Sequence, residues 1–228
     1  MPGFRLLFLV FFIALLAPGT SGKAQTVSSV TLIDQPFLFP GERNKKLIQT
    51  LEIYPGYKKA SQQEKDFIYW TNYSRLFPIH FRDSALIPFI KSQPGLQSNS
   101  YTKSLIQDLD QKLALPFLVP STQLAGVAAN HATDIYKNKG RISHHSSDGT
   151  SFANRMRKAG VTQCVSENIS SGKEDALVAL LLLYLDIGVP DLGHRKNLLN
   201  PSYTEIGVSV IRLADGRYLM VQNLGCSK

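Results

Sequence analysis

Residues 176–185 constrain the fold more than any other segment, because this run, ALVALLLLYL, is apolar on every side. A helix at a protein surface keeps a polar face, so a helix without one must be buried on most sides. The run is also shorter than the roughly 20 residues that a transmembrane helix needs. The sequence therefore predicts a helix packed between other layers of a folded domain.

Asp186 follows this apolar run directly. An ionised carboxylate that is buried without a partner is strongly unfavourable, so we expect a cation or a histidine beside it. The alternative is that the chain has already reached solvent at this point, because Gly188 and Pro190 follow closely.

Start and stop signals locate a helix in the first half of the chain. Ser61 and Glu64 form a capping-box pattern, and the helix that they begin should end near Pro78. Upstream of it, prolines and glycines interrupt residues 25–60, which we interpret as an N-terminal leader segment with one strand.

A second helix should begin at Ser121 or Thr122. Its core face keeps helical spacing and consists of Leu124, Ala128, His131 and Ile135. His131 is therefore expected to be a buried, hydrogen-bonded core histidine outside any functional site. Gly140 stands where a left-handed residue would end this helix.

The end of the chain predicts a β-hairpin. Apolar segments at 206–213 and 218–223 flank an Asp-Gly turn signal. Long helices first and a strand pair last, without a repeating βαβ order, indicate an α+β fold. We expect a three-layer α/β/α sandwich on a mainly antiparallel sheet.

The first 24 residues have the layout of a secretory signal peptide. Arg5 precedes an apolar stretch at 6–17, and Gly22 and Ala24 place small residues before the expected cleavage site. An uncleaved anchor is the alternative. Cleavage would leave no transmembrane anchor and would make the protein secreted, either extracellular or periplasmic.

The charge balance argues against a nucleic-acid partner. The whole chain carries 25 basic and 17 acidic residues, and the loss of residues 1–24 removes only Arg5 and Lys23, which leaves a net charge of +6. These charges are scattered and form no basic stripe with interleaved aromatics.

The chain has two cysteines, Cys164 and Cys226. An even number in an exported protein favours a disulfide over two free thiols. Their wide separation and the lack of a CxxC pattern argue against a metal role.

Four polar residues of the second half stand in short, distinctive contexts. His144 lies in ISHHSSDG, Glu167 in SENI and His194 in GHRKNLL, while Asp186 ends the apolar helix. Two imidazoles with one or two carboxylates suit Zn²⁺. There is no HExxH motif, so a high-affinity zinc protease is not indicated.

These motifs resemble, in order and spacing, the secreted CAP superfamily of cysteine-rich secretory proteins, antigen 5 and pathogenesis-related proteins, including bacterial members. The resemblance covers about residues 61–226 and implies a CAP domain at 61–228 with an insertion at about 82–112, in which we expect one short helix at 101–113. Asn72 and Arg75 match the opening helix of that family, although they could instead occupy a solvent face.

The resemblance implies that His144, Glu167, Asp186 and His194 line a central cavity that can hold a divalent metal. The segment before His194 departs from the family pattern, which leaves open whether the second acid is Asp186 or Asp191. Arg195 either braces this loop through a carboxylate or faces water.

Two functions remain open. The first is non-catalytic recognition of an extracellular or envelope ligand, such as a lipid, a peptide or a glycan, with zinc as the candidate cofactor. The second is a weak metal-assisted hydrolase, a peptidase or esterase, in which Glu167 acts as general base.

Overall fold

The structure is a computed structural model that describes residues 32, 36–162 and 164–226. The signal peptide predicted at 1–24 and the first residues of the leader lie outside the described residues. Within those ranges, no helix combines the length and the apolar character that a membrane crossing requires.

Helices occupy most of the described residues before β1, and most strands come late. The helices are α1 (Lys45–Leu51), α2 (Pro55–Lys58), α3 (Gln62–Leu76), α4 (Pro78–Phe81), α5 (Ile87–Ser92), α6 (Pro94–Gln97), α7 (Ser100–Asp110), α8 (Thr122–Lys137), α9 (Phe152–Lys158), α10 (Ala176–Leu185) and α11 (Gly193–Leu198). A π-helical segment, Arg82–Leu86, joins α4 to α5. The strands are β1 (Val119–Pro120), β2 (Ser166–Gly172), β3 (Glu205–Arg212) and β4 (Tyr218–Gly225).

The strands form one sheet in the order β1-β3-β4-β2. Strand β1 runs parallel to β3, whereas β3 and β2 both pair antiparallel with β4. The predicted hairpin is confirmed as β3–β4, and Gly216 adopts a φ of 86° in its turn. The sheet is therefore mainly antiparallel, as expected.

Helices cover both faces of the sheet. Met220 and Leu224 of β4 belong to the core that α3 and α10 form, whereas Leu219 and Val221 pack with α8. This alternation follows the two-residue period of a strand, which points successive side chains to opposite faces. The predicted α/β/α sandwich is confirmed, and α10 is buried in it as its apolar sequence requires.

Helix α8 lies unusually close to β3. A Cβ atom at Gly207 would overlap the backbone of Leu124 and Ala125, so only glycine allows this contact. Ser121 caps the helix by accepting a hydrogen bond from the Leu124 N–H. Gly140 has the expected left-handed conformation, three residues after the helix ends.

The predicted capping box of α3 is confirmed. The Ser61 hydroxyl accepts a hydrogen bond from the Glu64 N–H, and the Glu64 carboxylate accepts one from the Ser61 N–H. The helix ends at Leu76, close to the predicted stop at Pro78.

Asn72 and Arg75 do not lie on a solvent face, because both are fully buried. The Asn72 side chain pairs with both backbone groups of Leu118, at 2.8 and 3.1 Å. The Arg75 guanidinium donates to backbone carbonyls of Pro116, Leu198, Asn200 and Tyr203. Arg75 thus ties α3 to segments that are far away in sequence.

The leader differs from its prediction, because its described residues form helices α1 and α2 rather than a strand. Asn44 caps α1, and Leu47, Leu51 and Tyr57 are buried in the same core as α3. The interruptions at Pro55 and Gly56 therefore separate two short helices. The insertion also has more structure than expected: besides the predicted helix, observed as α7, it contains the π-helical segment, α5 and α6.

Cys164 and Cys226 form a disulfide, which confirms the expected pairing. Their Cα atoms lie 5.5 Å apart across a sequence separation of 62. The bond joins the segment just before β2 to the residue that follows β4.

Candidate functional site

His144 and Glu167 form a hydrogen-bonded pair. The Nδ1–H of His144 donates to Oε1 of Glu167 at 2.8 Å. The Glu167 side chain is 1% exposed, whereas that of His144 is 33% exposed. The carboxylate therefore lies beneath the imidazole and orients it toward the surface.

Glu167 stands on a strand of the sheet. It belongs to β2 and pairs with Asn223 of β4. The sequence SENISSG lacks apolar alternation, so the strand had no clear signal. Its place in the sheet gives the carboxylate a fixed position.

Arg155 is a site residue that sequence reasoning missed. Its Nη2 donates to both carboxylate oxygens of Glu167, at 2.9 and 2.7 Å. Its Nη1 donates to the backbone carbonyl of His144 at 2.8 Å. Arg155 thus neutralises the buried carboxylate and holds the loop that carries its histidine partner.

His131 is buried and hydrogen-bonded, as predicted, and it lies beside the first pair. Its Nε2–H donates to the carbonyl of Ser143 at 2.8 Å, and Nε2 lies 4.0 Å from Oε1 of Glu167. Burial, the dominant cause, lowers the pKa of His131, the Glu167 carboxylate partly offsets this effect, and the nearby Arg155 adds to it. His131 therefore stays neutral and supports the His144 loop from below.

Asp186 and His194 form a second pair of the same kind. The Nδ1–H of His194 donates to Oδ1 of Asp186 at 2.6 Å, and the N–H of Arg195 donates to Oδ2 at 3.1 Å. Asp186 caps α10 with a φ of 54° and is buried, whereas Asp191 is exposed. Of the two candidate acids, Asp186 is the one that contacts the histidine.

Arg195 braces the second pair, in agreement with one of its two predicted roles. It is buried, and Nη1 forms an ion pair with Asp108 at 3.0 Å. Its guanidinium also donates to the carbonyls of Tyr101, Tyr184 and Leu185. Because Asp108 and Tyr101 belong to α7, the insertion is directly connected to the loop that holds His194.

Two asparagines link the elements that carry the pairs. Asn168, the neighbour of Glu167, accepts a 2.8 Å hydrogen bond from Asn197 of α11, the helix of His194. Asn168 also donates to Gln222 of β4 at 2.9 Å. The strand of the first pair is therefore connected through side chains to the helix of the second.

The four predicted residues are not arranged as four direct ligands of one metal ion. Both carboxylates are hydrogen-bonded to an imidazole Nδ1, and Glu167 is also bound by Arg155. No group of three or more His, Cys, Asp or Glu side chains within the described ranges is arranged to hold a metal. A carboxylate on Nδ1 is instead the usual outer partner of a histidine that binds metal through Nε2.

Comparisons with known proteins agree with this architecture. The profile of the CAP family, described as the cysteine-rich secretory protein family, matches residues 71–224. A search of curated proteins gave no match.

Three solved structures illustrate the likeness. An extracellular protein containing an SCP domain from Bacillus anthracis is 29% identical, with a TM-score of 0.40, and the match covers 62% of this chain and 43% of that one. An outer surface protein from Borrelia burgdorferi is 24% identical with a TM-score of 0.42, covering 56% and 90%. Venom allergen-like protein 4 from Schistosoma mansoni is 15% identical with a TM-score of 0.41, covering 74% and 91%. Because the family profile spans well over half of the sequence, the chain belongs to the CAP family of cysteine-rich secretory proteins.

Proposed function

We propose that this protein is an exported CAP domain that recognises an extracellular or envelope ligand without catalysis. The main support for this proposal is that both acids of the site are buried and already bound by other side chains. Asp186 and Glu167 are both buried and hydrogen-bonded to an imidazole, and Arg155 contacts both oxygens of Glu167. Neither carboxylate is placed to take a proton from a water molecule at the surface.

The same geometry argues against the alternative hydrolase. A general base must come within hydrogen-bond distance of the proton that it removes. The Glu167 side chain is 1% exposed, and the guanidinium of Arg155 contacts both of its carboxylate oxygens, so little of the carboxylate is open to a water molecule. Glu167 is therefore better suited to orienting His144 than to activating water.

Export is supported by the apolar segment near the start of the chain and by the disulfide. Disulfides persist in oxidising compartments such as the extracellular space and the periplasm. The ligand class proposed for the site remains a lipid, a peptide or a glycan.

A divalent cation such as Zn²⁺ is a proposed component of this recognition. His144 and His194 would hold it, since their side chains reach the surface while Glu167 and Asp186 orient them. Bound zinc would supply a Lewis-acidic centre that can take an oxygen or nitrogen atom of a ligand.

Zinc titration by calorimetry tests the metal component on protein that the expression host has secreted and processed. We expect one weak site that loses at least about tenfold in affinity in His144→Ala and in His194→Ala, as removal of a ligand or its support does. His80→Ala removes an exposed histidine and is the matched control. Equal zinc affinity in all four proteins would refute the metal component.

Hydrolysis of model esters and peptides tests the absence of catalysis. We expect no turnover above background, with or without added zinc. Turnover by the wild type that disappears in Glu167→Gln would overturn the non-catalytic assignment and establish the hydrolase.

A further inference from the structure

A pocket of about 280 Å³ lies where the leader meets helices α3 and α4. It is lined by Tyr73, Phe77 and His80, together with Glu42 and Asn44 of the leader. None of these residues belongs to the two histidine–carboxylate pairs. We propose that this pocket binds a quaternary ammonium group, as in choline, with the cation against the aromatic rings and beside the Glu42 carboxylate.

The leader side of the pocket lies outside the CAP family profile, which matches residues 71–224 only. Asn44 fixes the leader at this point. Its side chain caps α1 by accepting from the Leu47 N–H at 3.0 Å, and its own N–H donates to the Tyr69 hydroxyl at 2.7 Å. The pocket is therefore formed by the leader docked on α3, as an addition to the CAP domain.

Tyr73 and Phe77 form an aromatic corner in the pocket. Their ring centroids lie 5.6 Å apart, and the ring planes meet at 50°. Both side chains are only partly buried, so ring surface is available to a ligand. The face of an aromatic ring is negative and attracts a cation within about 6 Å of its centroid. The corner therefore offers two ring surfaces to one cation.

The neighbouring rings already hold a cation of the chain itself. The guanidinium carbon of Arg43 lies 5.2 Å from the ring centroid of Tyr69 and 5.4 Å from that of Trp70. Tyr69 in turn stacks on Tyr73, with an angle of 16° between the rings. Arg43 forms an ion pair with Asp66 at 2.5 Å, which compensates its charge. The aromatic cluster thus favours cations, and Arg43 adds little net positive charge to repel a second one.

Glu42 supplies negative charge to the pocket. It is exposed, and no ion pair with another described residue is found for it. The chain as a whole carries 25 basic and 17 acidic residues, so its overall field repels cations. A cation that binds here is therefore held locally, by the two rings and this carboxylate.

The chemistry of the pocket selects a quaternary ammonium over a primary one. A primary ammonium has three N–H donors and is strongly hydrated, so it needs several acceptors. The ring faces offer none, and the Asn44 side-chain oxygen already accepts from Leu47. A trimethylammonium group has no N–H donor and presents methyl groups, which suit ring faces. At about 30 Å³ per heavy atom, 280 Å³ holds about nine heavy atoms, enough for choline.

Titrations followed by NMR at low salt test the proposal with three probes. These are choline, its uncharged carbon isostere dimethylbutanol, and ethanolamine, which carries a primary ammonium. We expect one weak choline site per chain and much weaker binding of the other two probes. Absence of choline binding would overturn the proposal, and so would equally tight binding of either analogue.

A ring variant locates the site. Phe77→Leu keeps an apolar side chain but removes the ring, so it should weaken choline by about two- to fivefold, the range for an exposed cation–π contact. Phe117→Leu is the matched control, because Phe117 is also partly buried but lies outside the pocket. Unchanged choline affinity in a folded Phe77→Leu protein, checked by circular dichroism, would refute the assignment.

The carboxylate has its own test. Glu42→Gln should weaken choline by about threefold at low salt, and added salt should reduce this difference. Glu52→Gln, at an exposed glutamate outside the pocket, should bind choline as the wild type does. No loss in Glu42→Gln, or an equal loss in both variants, would contradict the role of Glu42.

Cosedimentation with phosphatidylcholine vesicles identifies the source of the quaternary ammonium. Vesicle binding that excess choline displaces supports the pocket as a site for lipid head groups. Choline binding without vesicle binding supports a soluble ligand. Zinc titration is independent of both results, because His144 and His194 do not line the pocket.

Discussion

A single nitrogen of Arg155, Nη2, contacts both carboxylate oxygens of Glu167, at 2.9 Å from Oε1 and 2.7 Å from Oε2. Both side chains are largely removed from solvent, at 9% and 1% exposure. Removal of one partner of a buried ion pair leaves the other charge uncompensated. The pair is therefore expected to matter for stability as well as for the position of His144.

Arg155→Ala should lower the free energy of unfolding by about 3–5 kcal/mol, because Glu167 would remain buried without its cation. Urea denaturation measures this change. Arg157→Ala is the matched control, since Arg157 is an exposed arginine of the same helix. Equal stability of the two variants would show that Arg155 is not needed to compensate Glu167.

Asp186→Asn should lower the free energy of unfolding by about 1–3 kcal/mol, the usual cost of disturbing buried hydrogen bonds to a charged group. Asparagine tolerates the left-handed backbone at this position, so the change isolates the loss of the carboxylate. Asp191→Asn should stay within about 0.5 kcal/mol of the wild type, because Asp191 is exposed. A larger effect at Asp191 would contradict the assignment of Asp186 as the structural partner of His194.

His131 should make stability depend on pH. Burial lowers its pKa below the ordinary 6.5, so the unfolded chain takes up a proton first as the pH falls. The stabilising effect of the neutral ring is present above pH 6.5 and is lost progressively as the pH falls toward the lowered pKa.

His131→Gln should reduce this loss below about pH 6.5, because glutamine does not titrate and can still donate to Ser143. Thermal unfolding at several pH values measures the slope. His80→Gln, at an exposed histidine, should keep the wild-type slope. An unchanged slope in His131→Gln would show that other groups cause the pH dependence.

Replacement of Cys164 and Cys226 by serine should lower the free energy of unfolding by about 4 kcal/mol, the chain-entropy value for a closed loop of 62 residues. Guanidinium denaturation of the double variant measures the change. A difference below about 1 kcal/mol would show that the disulfide contributes little to stability.

Much of the fold was predictable because its signals are local. Ser61 with Glu64 marked the start of α3, the apolar run marked α10, and the Asp-Gly pair marked the β3–β4 turn. Strand β2 was not predicted, because its polar sequence has no two-residue alternation of apolar residues. The leader helices were not predicted, because both are short and proline and glycine interrupt the segment. Their conformations depend on tertiary contacts that sequence periodicity does not report.

The site was predictable in part for a similar reason. The motifs drew attention to His144, Glu167, Asp186 and His194, and the structure pairs each histidine with one of these acids. No sequence pattern marked Arg155 as a site residue, because the basic segment FANRMRK is typical of an exposed helix surface. Glu167 reaches the Arg155 guanidinium only because β2 pairs antiparallel with β4 in the folded sheet.

The contacts of Arg75 have a consequence for how the chain reaches its native state. Its buried guanidinium takes acceptors from Leu198, Asn200 and Tyr203, more than 120 positions further along. Until those carbonyls are available, α3 cannot bury this charge without a large desolvation cost. Helix α3 can therefore complete its packing only after residues 198–203 have been synthesised and have reached it, so the N-terminal half cannot finish folding on its own.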